Sequence, residues 1–152
     1  MKQMTYEQAL HRLAAYCSRA ERCIYDIRLK MDLWEIPYNE QNRLIERLQK
    51  EKFLDEKRYC HAFVNDKIKY NHWGIYKIKY ELNKKQIPES LIQEALEQID
   101  GNENKELLIK LLRNKRRVVY GRNEFEIKQK LIRFAVGRGF SIEEIEKALE
   151  RI

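Results

Sequence analysis

Cysteine, proline, glycine and serine are scarce in this chain, and long apolar runs are missing. The three cysteines, Cys17, Cys23 and Cys60, are an odd number lying on predicted helices, which suits reduced thiols rather than a disulfide framework. Cys17 and Cys23 lack the close pairing of a structural zinc site, and Cys60 and His61 are neighbours that point to different faces, so no metal is expected. Ser18, Ser90 and Ser141 are the only serines, and each reads as a cap or helix-start residue rather than a nucleophile. No Gly-x4-Gly-Lys-(Ser/Thr) loop is present, which argues against nucleotide hydrolysis. No pair of carboxylates stands out for acid–base work, so the chain reads as a non-enzyme without a cofactor. No run approaches the ~20 apolar residues of a membrane span. Met1-Lys2-Gln3-Met4-Thr5 has no apolar stretch of signal-peptide type. A cytoplasmic protein without membrane contact is expected. Five glycines and two prolines leave room for few turns, and no stretch alternates like a strand, so an all-α fold is expected.

What the chain does have is helical periodicity, charge, and an internal repeat of roughly fifty residues. Ile27-x3-Met31 leads to Ile36-Pro37 and then Leu44, Ile45 and Leu48. Ile78-x3-Leu82 leads to Ile87-Pro88 and then Ile92, Ala95 and Leu96. Ile127-x3-Leu131 leads to Phe140-Ser141 and then Ile145, Ala148 and Leu149. Three tandem three-helix repeats, 1–52, 53–100 and 101–152, are therefore expected to stack into an elongated, curved array, because no such unit buries its apolar face alone. Between Leu131 and Leu149 the third repeat holds four more residues than the second holds between Leu82 and Leu96, so its second helix is longer or ends in a larger turn.

The local signals are mostly helix starts. Thr5-x-x-Gln8, Ser18-x-x-Glu21 and Ser141-x-x-Glu144 read as capping boxes, Asp55 and Asn123 as N-caps, and Pro88 as a first helical residue. Glu56 suits the positive end of its own helix. Asp100-Gly101-Asn102 reads as a linker, and Gly139 as the left-handed residue that stops the helix before it. Phe125, Ile127 and Leu131 mark the second helix of the last repeat, and Ile142, Ile145, Leu149 and Ile152 its third.

Charge is banded. Residues 113–138 carry nine cations against two carboxylates, a surplus of seven that equals the net charge of the whole chain. Residues 67–85 carry six against one, and the intervening 86–112 has two cations against six carboxylates. Such banding makes local fields larger than the net charge suggests, and a polyanion or an oppositely banded partner is the natural target. Arg113, Lys115, Arg116, Arg117, Arg122, Lys128 and Arg133 are the phosphate or acidic-surface candidates of the first band. In the second band Lys67, Lys69, Lys77 and Lys84 are interleaved with Trp73 and several tyrosines, a mixture that suits stacked bases or a protein interface. Trp73 and Tyr76 are equally suited to packing between repeats. Lys77 and Lys84, seven apart, share one helical face.

Three parts of the chain carry a family resemblance. Leu54-Asp55-Glu56-Lys57-Arg58-Tyr59-Cys60-His61-Ala62-Phe63-Val64 is similar to the Asp-Glu-x-Phe-Ala-x-x-(Phe/Tyr)-Val segment of the RecX family of recombination regulators. Trp73-Gly74-Ile75-Tyr76-Lys77-Ile78-Lys79-Tyr80-Glu81-Leu82 resembles that family's Gly-Pro-x-Arg-(Ile/Leu)-x-x-Glu-Leu segment, with Ile75 in place of proline. Cys60 stands where the family usually has alanine. Ala9-Leu10 and Ser18-Arg19-Ala20-Glu21 resemble its N-terminal signature. The resemblance implies a non-enzymatic protein that binds the RecA recombinase filament on single-stranded DNA and suppresses its ATPase, co-protease and strand-exchange activities. A monomer is expected, because no long exposed apolar stripe demands a dimer. DNA would be touched directly or through RecA. Two rivals remain at this point: a general nucleic-acid-binding helical module, and a helical-repeat adaptor for an unrelated protein.

Overall fold

The computed structural model describes residues 4–152; Met1, Lys2 and Gln3, read above for a leader, lie outside the described residues. The described residues form nine helices and no strand. The first unit is α1 (Tyr6–Arg19), α2 (Ile24–Leu33) and α3 (Tyr38–Lys50), the second α4 (Glu56–Lys69), α5 (Ile75–Lys84) and α6 (Glu89–Leu96), the third α7 (Gly101–Val118), α8 (Glu124–Gly137) and α9 (Ile142–Leu149). The all-α fold of three tandem three-helix units is thus as expected. The main helix packing lies within units, α1 and α2 on α3, α4 on α6, α7 on α9 and α8.

One turn recurs in every unit and fixes where its third helix begins. After α2, Glu35 takes φ +56°, and Ile36 N–H reaches back to Met31 C=O at 3.0 Å. After α5, Gln86 takes φ +58° and Ile87 N–H reaches Leu82 C=O at 3.3 Å. After α8, Gly139 takes φ +102° and Phe140 N–H reaches Ala135 C=O at 3.2 Å. These are Schellman closures, which satisfy the orphan carbonyls of a helix end and lay the next apolar residue on the core. They also correct the register of the third unit. Ala135, not Leu131, is the counterpart of Met31 and Leu82, and Leu131 is the counterpart of Ile27 and Ile78. The four additional residues are therefore one added turn at the start of α8, which has 14 residues against 10 in α2 and α5. With α7 at 18 residues against 14 in α1 and α4, the α7–α8 hairpin projects by about 6 Å, four residues at ~1.5 Å rise.

Other local expectations meet mixed outcomes. Thr5–Gln8 and Ser141–Glu144 form capping boxes, and Asp55 and Asn123 cap α4 and α8. Ser18 instead lies inside α1 and donates to Ala14 C=O at 2.8 Å, and α2 begins after Cys23. Pro88 is the N-cap of α6 rather than its first residue. The expected linker is the start of α7, because the Asp100 carboxylate accepts from the amides of Asn102 and Glu103 at 2.9 and 3.2 Å. Phe125 lies in the added turn and is exposed, as are Ile142 and Ile152, the last beyond the end of α9.

Three apolar clusters match the three units, with exchanges at the first junction. Leu54 packs in the first cluster, whereas Cys23 and Tyr25 pack in the second. Ion pairs close the same junction: Lys85 to Asp26 at 2.6 Å and Arg58 to Glu21 at 2.6 Å. The Glu56 carboxylate does not serve its own helix but accepts from Ile24 N–H at the start of α2, at 3.1 Å; burial holds it above the usual carboxylate range. All three cysteines are free and buried. Burial pushes the Cys23 thiol up to about 12 and Cys60 up to about 11, and raises Cys17 as well. Because the thiolate is the reactive species, no cysteine is expected to react with a disulfide reagent at pH 8 in the folded protein, and all three in urea. Rapid native labelling of any one would contradict this packing.

Candidate interaction surface

The two basic bands meet because the start of α5 docks on the end of α8. Gly74 N–H donates to Arg138 C=O at 2.7 Å, and Tyr76 N–H to Gly139 C=O at 3.1 Å. Lys77 Nζ reaches Gly137 C=O at 3.4 Å, and the Arg138 guanidinium donates to Asn71 C=O at 2.8 Å. Orphan amides at one helix end thus meet carbonyls at another, a match of both hydrogen bonding and helix dipole. Only glycine permits the approach: a Cβ on Gly74 would fall 2.4 Å from the Gly139 carbonyl, and one on Gly139 would fall 2.5 Å from Lys77 Cβ.

Across this seam runs a row of aromatic rings bracketed by cations. Trp73, half-buried against the edge of Phe63, carries Lys67 Nζ 4.8 Å and Lys77 Nζ 4.6 Å from its centre. Beyond the seam, Phe134 carries Lys115 Nζ at 4.9 Å and the Arg138 guanidinium at 5.1 Å. Each ring holds two cations by attraction to its π face, about 0.5–1 kcal/mol per contact at exposed sites. Lys67, Trp73 and Lys77 are therefore brought together, and Lys115 is linked to them through Phe134 and Arg138. Phe134 was missed, since nothing along the chain relates it to Lys115. Trp73 both packs and faces outward, so the two readings of it are not exclusive.

The remaining candidates disperse. Arg113, Arg116, Arg117 and Lys128 line a groove of about 810 Å³ between α7, α8 and α9 that also contains Glu124, Glu146 and Glu150. Arg116 holds Glu124 with two bonds of 2.9 and 3.1 Å, and Arg113 donates to Arg151 C=O at 2.8 Å. Arg122 pairs with Glu126 at 3.1 Å, and Lys130 pairs with the same carboxylate at 3.5 Å. Among the described residues Arg117, Lys128 and Arg133 pair with no carboxylate. Lys84 stands over Tyr80 and beside Glu81, and Lys69 over Tyr70. At the projecting hairpin Val118, Tyr120 and Phe125 are 75%, 83% and 71% exposed, an apolar tip inside the basic band. Among the described residues no helix is long and apolar enough to cross a membrane.

The fold defines a helical-repeat protein whose conspicuous surface feature is a cationic, aromatic face rather than an acid–base centre. Residues 55–96 match the model of the RecX second three-helix domain, and residues 103–149 that of the RecX third three-helix domain. A regulatory protein RecX from Clostridium acetobutylicum is 34% identical over 97% of this chain and 70% of its own length. One from Prosthecochloris aestuarii is 26% identical over 95% of this chain and 93% of its own. A crystal structure of a regulatory protein RecX superposes with a TM-score of 0.87 at 26% identity, over 95% of this chain and 73% of that one. The chain belongs to the RecX family. It spans only 51–60% of the length of several other clostridial relatives. The relatives are named as regulatory proteins, not as enzymes.

Proposed function

We propose that this chain is a cytoplasmic, non-enzymatic regulator that binds the RecA filament on single-stranded DNA and suppresses its ATPase, co-protease and strand-exchange activities. The observation that carries the reading, in a chain of this family, is the continuous cation–aromatic face that joins the second and third units. A helical filament of nucleoprotein offers both acidic protein surface and phosphate at regular intervals. Three tethered units, 1–52, 53–100 and 101–152, acting as a monomer, would each make a weak contact, and tethering converts the later contacts into intramolecular ones. Lys67, Lys69, Trp73, Lys77 and Lys84 would serve the second unit, and Arg113, Lys115, Arg116, Arg117, Arg122, Lys128 and Arg133 the third. Binding a filament state that cannot turn over or extend shifts the population toward it. The test is single-stranded-DNA-dependent ATP hydrolysis by the cognate RecA while this protein is titrated in. Loss of hydrolysis at substoichiometric amounts is expected. Unchanged hydrolysis at an excess over RecA would sink the reading and return the choice to a nucleic-acid module or an adaptor.

A further inference from the structure

The charge bands lie in units two and three, yet unit one holds a cavity whose positive charge no carboxylate of its lining offsets. His11, Arg12, Ala15, Tyr16, Arg19, Lys30 and Trp34 line a cavity of about 250 Å³ between α1 and α2, and no carboxylate lines it. The groove of unit three, by contrast, sets three glutamates against its four cations. Lys30 Nζ lies 5.0 Å from the centre of the Tyr16 ring, and the Arg22 guanidinium, 3.8 Å from the same centre, adds one further cation beside the wall. Arg22 is fixed by donating to Tyr16 C=O at 3.1 Å. Among the described residues Arg12, Arg19, Arg22 and Lys30 are paired with no carboxylate.

The position of this cluster in its unit is not arbitrary. Ile27 and Met31 correspond to Ile78 and Leu82 at a spacing of 51 residues, and at that same spacing Arg22, two residues before α2, corresponds to Trp73, two residues before α5. In each unit this residue pairs with one from the last turns of the first helix, Arg22 with Tyr16 and Trp73 with Lys67. The seam between first and second helices therefore carries a cation–aromatic pair in both units.

We infer that the α1–α2 cavity is a binding site for single-stranded nucleic acid, engaging the phosphodiester backbone and one base. Arg12 and Arg19, seven residues apart, lie on one face of α1 about 10 Å apart along its axis, a span that covers successive phosphates of an extended strand. Trp34 supplies a ring at the cavity wall, and stacking of a base on such a ring contributes about 1–3 kcal/mol. An acidic protein segment would use the charges and leave the rings idle. A duplex is too wide for a cavity of this volume. The site works without RecA, so its failure and that of the filament reading are separable.

The test is the anisotropy of a labelled oligothymidylate titrated with the full chain, without RecA, for the wild type and the Arg12→Ala/Arg19→Ala double variant. Both side chains are exposed, and far-ultraviolet circular dichroism checks that helicity is kept. Each lost phosphate contact lowers the salt dependence of log K by about 0.7 for single strands, so two contacts lower it by about 1.4, or about 25-fold in affinity at 0.1 M salt relative to 1 M. A Trp73→Phe background leaves Trp34 as the sole tryptophan of the two in the sequence, and its emission is expected to quench on addition of the oligonucleotide. Wild-type affinity and salt dependence in the double variant would overturn the inference. So would competition by polyglutamate as effective as that by unlabelled oligothymidylate at equal charge, or preference for a duplex of the same length.

Discussion

Gly139→Ala is expected to lower the stability of the folded chain by about 3 kcal/mol or more. Two effects combine. A non-glycine residue in a sparsely populated left-handed conformation costs about 1–3 kcal/mol, and Gly139 sits at φ +102°, well away from the +55° to +63° that Glu35, Lys52, His72 and Gln86 adopt. The added methyl would also fall 2.5 Å from Lys77 Cβ and 2.7 Å from Lys77 N, so backbone must move, and overpacking of this kind costs roughly 1–3 kcal/mol more. The damage should concentrate at the seam. The amides of Gly74 and Tyr76, which donate across it, should lose their hydrogen-exchange protection before those of the second core. Gln86→Gly, at the equivalent turn of the second unit, is the control, since it relieves a left-handed side chain and should be neutral or slightly stabilising. A urea midpoint for Gly139→Ala equal to that of the wild type would show that the seam yields more easily than its geometry implies.

The Arg117→Glu/Lys128→Glu double variant is expected to raise the concentration needed to inhibit RecA by about tenfold or more, with helicity unchanged. Neither residue has a carboxylate partner among the described residues, so reversing them breaks no internal pair. The glutamate at 117 meets the negative end of α7, a penalty of about 0.3–1 kcal/mol that global stability should tolerate. Arg116 is a poorer probe despite its place in the same band. Its guanidinium grips Glu124, and reversal would set two carboxylates against each other at the base of the hairpin. A tenfold change in binding is about 1.4 kcal/mol, within reach of two charge-assisted contacts. Inhibition at wild-type concentrations would remove the third-unit groove from the mechanism and leave the row at Trp73 and Phe134 as the contact.

Much of this architecture is legible along the chain because helix starts are chemically marked. Thr5, Asp55, Asn123 and Ser141 carry the oxygen that a free amide needs, and each does cap a helix. Ser18 carries the same oxygen, but Cys17 on the buried face extends α1 past it, and packing outweighs the local preference. The register of the third unit slipped for a related reason. Ile127-x3-Leu131 and Leu131-x3-Ala135 are both apolar pairs one turn apart, and the larger side chains look like the better core, although Ala135 is fully buried and Ile127 only partly. The turn that settles it is silent in two units, since Glu35 and Gln86 give no hint of positive φ. The surface was less legible still. Charge bands show in the sequence, but whether a cation is free or already held depends on Glu124, Glu126 and Arg151 folding back onto it. The rings that organise the cations, Tyr16 and Phe134, lie six or more residues from them in several cases.

The seam at Gly74 and Gly139 also makes the molecule a vector. The tail of α8 abuts the head of α5, and at the other junction Lys85 after α5 holds Asp26 in the first turn of α2. The second helices therefore pass from unit to unit in one sense only, and the two extremities differ: at one an amide end capped by Asn123, at the other a carbonyl end closed at Glu35. Two such molecules could repeat this joint only in single file, never face to face about a twofold axis. On a track that itself has a direction, such as a strand running 5′ to 3′, forward and reversed placements would be different complexes, and only one of them could satisfy every unit at once.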